Sequence, residues 1–424
     1  MKISMKTATT KNENYVWTLL IMSTAYIAVG INVQGFMAML PLVSADFQIS
    51  GTQAGLYATA FFLSGTLLAI SSGRVVDRIG PKKSLVGATV IIASLMFLHT
   101  LMPTFTMILS LAFLTGIGFS IITPAINKGV INLVPPNKRA VSIGIAQAGG
   151  GIGGILGASL LPFLGDIFGW RKALLVAAVV ALLMAIVLAK FYRPKEDNGK
   201  KDKKNSVNEN TKDFPGSFKE DFKELISNPI LIFVCFMGLI FGFTMGNMTI
   251  HYTLFLTGDI GLTPALAGFS LSAFMFGGII GQPTMGYVND RFFNSNRRLG
   301  LFLLGITSSM MLLIVGIVVF SGNLRFSSIL GISFVFGMFV LAIPGLVFTT
   351  IGDIIEDKLI GTATGITLVF IRTGVVIGPP IVGITADLRG DYQTSWIMLA
   401  LAIFTISIIF LIGTRKYKSQ LLGG

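Results

Sequence analysis

The chain has 424 residues, of which 53% are hydrophobic and only 12% charged, and its mean hydropathy is +0.80. Soluble domains carry about 25% charged residues, so this apolar surface cannot be hidden in a water-soluble core and must face lipid. The net charge of +13 is accounted for below by topology and needs no nucleic-acid partner. The single cysteine, Cys235, excludes an intramolecular disulfide.

In lipid every backbone polar group must be bonded internally, which leaves a helix bundle or a closed barrel. The apolar stretches run about 20 residues or more, the length of a spanning helix. In chain order the spans are expected near 15–42, 53–73, 83–102, 104–127, 139–164, 171–191, 228–256, 264–288, 299–320, 327–350, 360–386 and 394–413. The first is read as a retained helix, because no small-residue cleavage site follows a short apolar run. One long polar segment, 193–227, is too hydrophilic to bury and includes Lys200-Lys201-Asp202-Lys203-Lys204. Its end, Phe218 to Ile226, has the pattern of a short amphipathic helix on the membrane surface. The expected architecture is an all-α membrane protein of twelve transmembrane helices: a six-helix bundle over 1–192, a cytoplasmic linker over 193–227 and a second bundle over 228–424.

Basic residues set the expected orientation. With the N-terminus inside, cytoplasmic segments hold 26 of the 32 Lys and Arg, outer loops hold four, and Lys128 and Arg372 lie within spans. Both termini are therefore expected in the cytoplasm of a cell with this chain in its cell membrane.

The two halves repeat. Shifting by 213 residues lays Gln34 on Asn247, Asp46 on Asp259, Ala54-Gly55 on Ala267-Gly268, Gly73 on Gly286 and Asp77-Arg78 on Asp290-Arg291. Further along, a shift of 221 lays Gly116 on Gly337, Gly153 on Gly374, Gly157 on Gly378 and Asp166 on Asp387. Six spans per half make the repeat parallel in topology, the plan of a transporter whose two bundles rock around a site near the midplane.

The sharpest motif is Gly73-Arg74-Val75-Val76-Asp77-Arg78-Ile79-Gly80-Pro81-Lys82-Lys83 between spans 2 and 3. It is echoed by Gly286-Tyr287-Val288-Asn289-Asp290-Arg291 between spans 8 and 9, which lacks the compact Gly and basic pair. With this spacing the chain resembles the major facilitator superfamily over essentially its whole length, through span count, loop, repeat and Trp170-Arg171 before span 6. The resemblance implies a secondary transporter in which Gly73, Asp77, Arg78, Gly80, Lys82, Lys83, Gly286, Asp290 and Arg291 gate the conformational change. Small Gly73 permits close helix approach, and Asp77 can accept charge-assisted hydrogen bonds from helix N-termini or basic groups across the bundle interface. A charged turn that merely obeys the positive-inside rule is the plainer reading. The run Gly149 to Gly157 in span 5 resembles the family's antiporter motif but lacks its Gly-Pro, which stands instead in span 11 as Gly378-Pro379-Pro380; antiport is not inferred from it.

Arg372 is the most informative residue. It lies about 11 residues, or about 17 Å, into span 11, where a cation must face a cavity or a partner. A guanidinium binds carboxylates bidentately, so a substrate-anion clamp and a structural salt bridge are the two readings. No Asp or Glu falls mid-span, which favours the clamp. Lys128, after Asn127 in span 4, either lines the cavity or snorkels to the interface. The resemblance places Gln34 and Asn247 around the central cavity, where they bond either solute or a neighbouring helix. His251 shares a helix face with Asn247 and either titrates or is an ordinary interfacial histidine. Gln147 and Tyr252 complete the candidate substrate-binding set.

There is no phosphate-binding loop for ATP, no metal-ligand cluster and no catalytic triad, so neither an enzyme nor a cofactor is expected. The expected function is secondary active or facilitated transport of a small organic anion, a carboxylate, by a monomer in the bilayer. A proton or a counter-anion is the co-transported candidate, with uniport left open. The alternatives are multidrug or metabolite efflux by proton antiport, and a transport-inactive receptor on the same fold.

Overall fold

Apolar runs without internal caps fold into helices here because, in lipid, only a helix bonds all of its own backbone within one segment. The computed structural model describes residues 2–135, 138–192, 218–321, 324–356 and 359–421, and no strand occurs among them. Most of the expected linker, 193–217, lies outside the described residues; its end forms the surface helix Phe218–Ser227, with Leu225 turned inward and buried.

Span 1 is Lys2–Ala38, span 3 Pro81–His99, span 4 Phe105–Leu133, span 5 Arg139–Phe168 and span 6 Trp170–Phe191. Span 7 is Pro229–Gly258, span 8 Pro264–Phe292, span 11 Ile360–Arg389 and span 12 Gln393–Gly413. The remaining three are broken. Span 2 is the pair Gly51–Leu67 and Ala69–Ile79, bent by 59°. Ser64 and Thr66 donate back to the carbonyls of Phe61 and Phe62 at the bend, a local competition that bends helices. Span 10 is Phe326–Val340 followed by Ile343–Ile354, because Pro344 has no amide with which to continue the ladder. Span 9 is Arg297–Leu313 continued by the π-turn Ile314–Val319. Among the described residues eleven helices are long and apolar enough to cross a membrane, and twelve when the bent pair of span 2 counts as one. The first span ends earlier than expected, at Ala38, and Pro41 starts the separate short helix Leu40–Phe47.

Glycines in the left-handed region make the tight turns: Gly80 (φ +84°) before Pro81, Gly169 (φ +87°) before Trp170, and Gly390 (φ +80°) after span 11. Side-chain caps start other spans, as where Asn228 accepts from Ile230 and Leu231 and Thr263 from Leu266.

The chain thus alternates between two ends of the molecule. The linker face carries the turns 2–3, 4–5 and 8–9 and the linker; the far face carries turns 1–2, 5–6, 7–8 and 11–12. Each half supplies most of one apolar core, with Ile250 and Leu254 of span 7 joining the first and Ala38 and Ala158 joining the second, and the repeat read from sequence recurs as equivalent contacts. A Cβ on Gly116 of span 4 would strike the carbonyl of Phe61 in span 2; a Cβ on Gly337 of span 10 would strike the carbonyl of Phe274 in span 8. Phe61 and Phe274 are themselves 213 apart. Such glycines let backbones approach where lipid offers no hydrophobic drive for association.

Gly337→Ala is therefore expected to lower the melting temperature of the purified protein by about 2–10 °C, the effect of overpacking by about 1–3 kcal/mol. Gly331→Ala, on the same helix with nothing within 4 Å of the new methyl, is the matched control and is expected to change little.

Candidate functional site

The two bundles meet along two helix pairs, spans 2 with 11 and 5 with 8, and the contacts are equivalent in pairs. Thr59 Oγ1 of span 2 donates to the Val376 carbonyl of span 11 at 2.7 Å, and Ser272 Oγ of span 8 donates to the Ile155 carbonyl of span 5 at 2.9 Å. One turn nearer the far face, a Cβ on Gly55 would stand 2.6 Å from the Pro379 carbonyl, and one on Gly268 would strike the Ala158 carbonyl. At the far face, Asp387 accepts from the amides of Gly51 (2.7 Å) and Thr52 (2.9 Å) and from the Thr52 hydroxyl. Its counterpart Asp166 accepts from the Ala265 amide at 3.2 Å. Each carboxylate sits on the free, positive amide end of a helix from the opposite bundle. The far face is sealed.

Toward the linker face the spans part. Cβ atoms on Gly73, Gly144, Gly151, Gly286, Gly361 and Gly365 would meet nothing within 4 Å. A cavity of about 420 Å³ runs there between spans 2, 4 and 11, from Phe61 and Phe119 at mid-depth to Ser72 and Asn127 near the linker face. Arg372 lies on its wall, exposed to it, with Thr66, Ser120 and Thr123 supplying further polar groups. None of the acids in an ion pair among the described residues pairs with Arg372. A second, smaller cavity of about 110 Å³ continues from the shared walls Phe61, Phe62 and Phe119 to Tyr26 and Gln34 of span 1.

The sequence candidates divide between these places. Arg372 and Asn127 line the main cavity, and Gln34 lines the inner one. Gln147 donates to Asn127 at 2.8 Å and so sets that amide. Lys128 points away from the cavity's described lining and pairs with Asp77 at 2.6 Å, also reaching the Val76 carbonyl at 3.4 Å. Asp77 thus finds its partner within its own bundle, because the linker-face ends of the two bundles are apart. In the second half Arg297 plays the cation, bonding Asp290 at 2.6 Å, Asp353 at 2.7 Å and Asn289 at 2.8 Å. Arg78, Lys83 and Arg291 are exposed at the same face, with Lys82 partly so, while Gly80 supplies the turn and Gly73 and Gly286 stand in open space.

Asn247 and His251 belong to the sealed region. The Asn247 amide donates to Phe243, and Gly378 of span 11 packs against it. The His251 ring lies between the Pro379 carbonyl (2.8 Å) and the Tyr392 hydroxyl (3.2 Å), fully buried. Tyr252 bonds Ser333 at 2.6 Å and packs edge-on to Trp396, inside the second bundle. Sequence reading missed Phe61, Phe62, Phe119 and Tyr26 as cavity walls and Asp166 and Asp387 as bridges. For the acids the signal was present in the repeat. Outside the spans, Asp259 accepts the Tyr392 amide at 2.7 Å, and burial raises its carboxyl pKa above the ordinary range.

Two six-helix bundles sealed at one face and enclosing a cavity at the other define a multi-pass membrane transporter, not an enzyme. The sequence profile of the Major Facilitator Superfamily matches residues 22–258 and 234–422, and the chain belongs to that family. It is similar to the hexuronate transporter of Bacillus subtilis, 23% identical over 86% of each chain. It is similar also to multidrug resistance protein 1 of Bacillus subtilis, 25% identical over 93% of this chain and 95% of that one. Among solved structures it matches a bacterial homologue of the human lysosomal transporter Spinster in an inward-facing, unoccupied conformation. That match has a TM-score of 0.74, with 16% identity and 96% of each chain covered.

If the carboxylate bridges hold the far face shut, Asp387→Asn removes a charge–dipole attraction of about 0.3–2 kcal/mol. The expected result is an open far face populated about 2- to 30-fold more. Spin labels at Leu56→Cys and Leu388→Cys in a Cys235→Ala background read it as a growing long-distance population; Asp166→Asn should act in the same direction.

Proposed function

We propose that the chain carries a small organic anion, a carboxylate, across the cytoplasmic membrane by alternating access, with Arg372 gripping the charge. The observation that carries the reading is Arg372 itself: a guanidinium midway along span 11, on the cavity wall, with no acid among the described residues paired to it. A cation at that depth costs about 2.5–3.5 kcal/mol on insertion scales, and a water-filled cavity with an anionic ligand removes that cost. Its counterpart in the repeat is Gly151, and Arg372 is the one charged residue in the cavity's lining. The name of the hexuronate relative, a sugar carboxylate carrier, supports the same class.

Lys and Arg placement supports both termini in the cytoplasm, which makes the linker face cytoplasmic and the cavity inward-open. One chain supplies both bundles, and we infer a monomer. A proton or a counter-anion completes the transport cycle. Asp77–Lys128 and Asp290–Arg297–Asp353 act in this scheme as linker-face clasps that rearrange as the bundles close there. A second reading, multidrug efflux by proton antiport, draws support from the aromatic cavity walls and from the multidrug-resistance relative.

Uptake and counterflow in proteoliposomes decide between them. Arg372→Ala is expected to raise KM for a transported carboxylate by about 10- to 100-fold, the loss of a charged hydrogen-bonding partner. Arg372→Lys should recover part of it, because the charge returns without the bidentate fork. Carboxylate transport that survives both substitutions intact removes the assignment, and broad protection of a pump-deficient host against cationic drugs replaces it with efflux.

A further inference from the structure

At the inner cavity the lining of the two halves differs. The walls that would fill it are missing: Gly30 and Gly150 stand where the repeat has Phe243 and Ile371. What remains is a chamber of about 110 Å³ opening between aromatic rings. Phe61 lies 5.0 Å from Phe62 and 5.3 Å from Phe119 between ring centroids, and Tyr26 closes the side at 6.4 Å from Phe119. At its end is Gln34, whose Oε1 is buried without a hydrogen-bond partner. A buried amide oxygen left unbonded is costly, and in a binding chamber the missing partner is the ligand.

Resting on the reading of Arg372 as the anion clamp, we infer that the substrate is an aromatic carboxylate with a hydroxyl on the ring edge away from the acid group. The carboxylate sits on Arg372 in the main cavity. The ring enters the chamber between Phe61, Phe62 and Phe119, where edge-to-face and offset contacts are available. The hydroxyl donates to Gln34 Oε1. An apolar cavity of about 150 Å³ is known to take a benzene ring; this chamber of about 110 Å³ is smaller, and it shares Phe61, Phe62 and Phe119 with the cavity of about 420 Å³, so the ring is inferred to seat across those shared walls. A sugar acid fits the chemistry poorly. It would bring a hydroxyl on nearly every carbon into a chamber with one free polar end, and each unmatched hydroxyl opposes binding.

The test is ligand binding to the purified full chain by thermal shift and by counterflow in proteoliposomes, with 4-hydroxybenzoate, benzoate, glucuronate and acetate as probes. 4-Hydroxybenzoate is expected to bind about tenfold more tightly than benzoate, the size of one neutral hydrogen bond to a buried partner, and both more tightly than glucuronate or acetate. Gln34→Leu should bring the hydroxybenzoate-to-benzoate ratio close to one; where that variant fails to fold, Gln34→Asn, with its shorter reach, gives the same readout. Gly150→Val, whose Cβ would stand 2.7 Å from the Tyr26 ring, should fill the chamber and weaken both aromatic acids relative to acetate. Glucuronate or acetate binding as tightly as 4-hydroxybenzoate, or an unchanged ratio in the Gln34 variant, overturns the inference. Arg372→Ala in the same assays separates the two levels. Arg372-dependent binding of non-aromatic acids alone overturns the ring chamber and keeps the clamp, while anion binding indifferent to Arg372 overturns both.

Discussion

The bond on which the architecture turns is the one between a carboxylate at the end of one bundle and the exposed amides that begin a helix of the other. Asp387 at the end of span 11 holds the start of span 2, and Asp166 near the end of span 5 holds the start of span 8. A helix start has free amides that nothing inside the helix can bond. In a membrane protein these sit where lipid headgroups give way to water, so the partner must come from the protein or from solvent. Borrowing it from the opposite bundle ties the end of a helix to the closing of a face.

Below each carboxylate the same two helices meet through a glycine against a carbonyl, and then through a hydroxyl against a carbonyl. These contacts suit a joint that must open. Glycine against backbone packs closely without interlocking side chains, so helices can part without rotamer rearrangement. Each net hydrogen bond contributes about 0.5–1.5 kcal/mol, and every group involved can be rehydrated once the face opens. A handful of such bonds sums to a few kcal/mol. About 5.5 kcal/mol takes a two-state equilibrium from one extreme to the other. The seal is thus strong enough to favour one conformation and weak enough for ligand binding to compete with it.

Much of this was legible in the chain. Span lengths and the depth of Arg372 follow from apolar run length, and the repeat from the shifts of 213 and 221 residues, which already set Asp166 over Asp387. What the sequence could not supply was the partner of each group. Thr52 and Asp387 are 335 residues apart, and only the folded bundles bring them together. Lys128 reads from sequence as a cavity cation or a snorkelling one, and the fold gives it Asp77 of span 2 as its partner. His251 shares a helix face with Asn247 in the sequence and Tyr252 is a weaker candidate beside it; span 7 turns His251 toward the Pro379 carbonyl of span 11 and Tyr252 toward Ser333 in the second bundle. The breaks in spans 1 and 10 were signalled by Pro41 and Pro344 and obscured by unbroken hydrophobicity. The aromatic walls gave no sequence signal, because a phenylalanine facing a cavity is indistinguishable from one facing lipid.

The symmetry of the frame makes the asymmetry of the cavity informative. Thr59 and Ser272, Gly55 and Gly268, Asp387 and Asp166 occupy matching places because both helix pairs must open and close together. Among the cavity residues the match ends: the repeat counterpart of Arg372 is Gly151, and that of Ile371 is Gly150. A second cation at position 151 would put two guanidinium groups within the membrane-spanning helices. A monovalent anion could neutralise only one of them, and the other would oppose every passage through the closed intermediate. With Arg372 as the one guanidinium on the wall of the main cavity, a single carboxylate of the kind proposed leaves the occupied cavity neutral. The halves therefore keep in common what moves them and differ in what they bind.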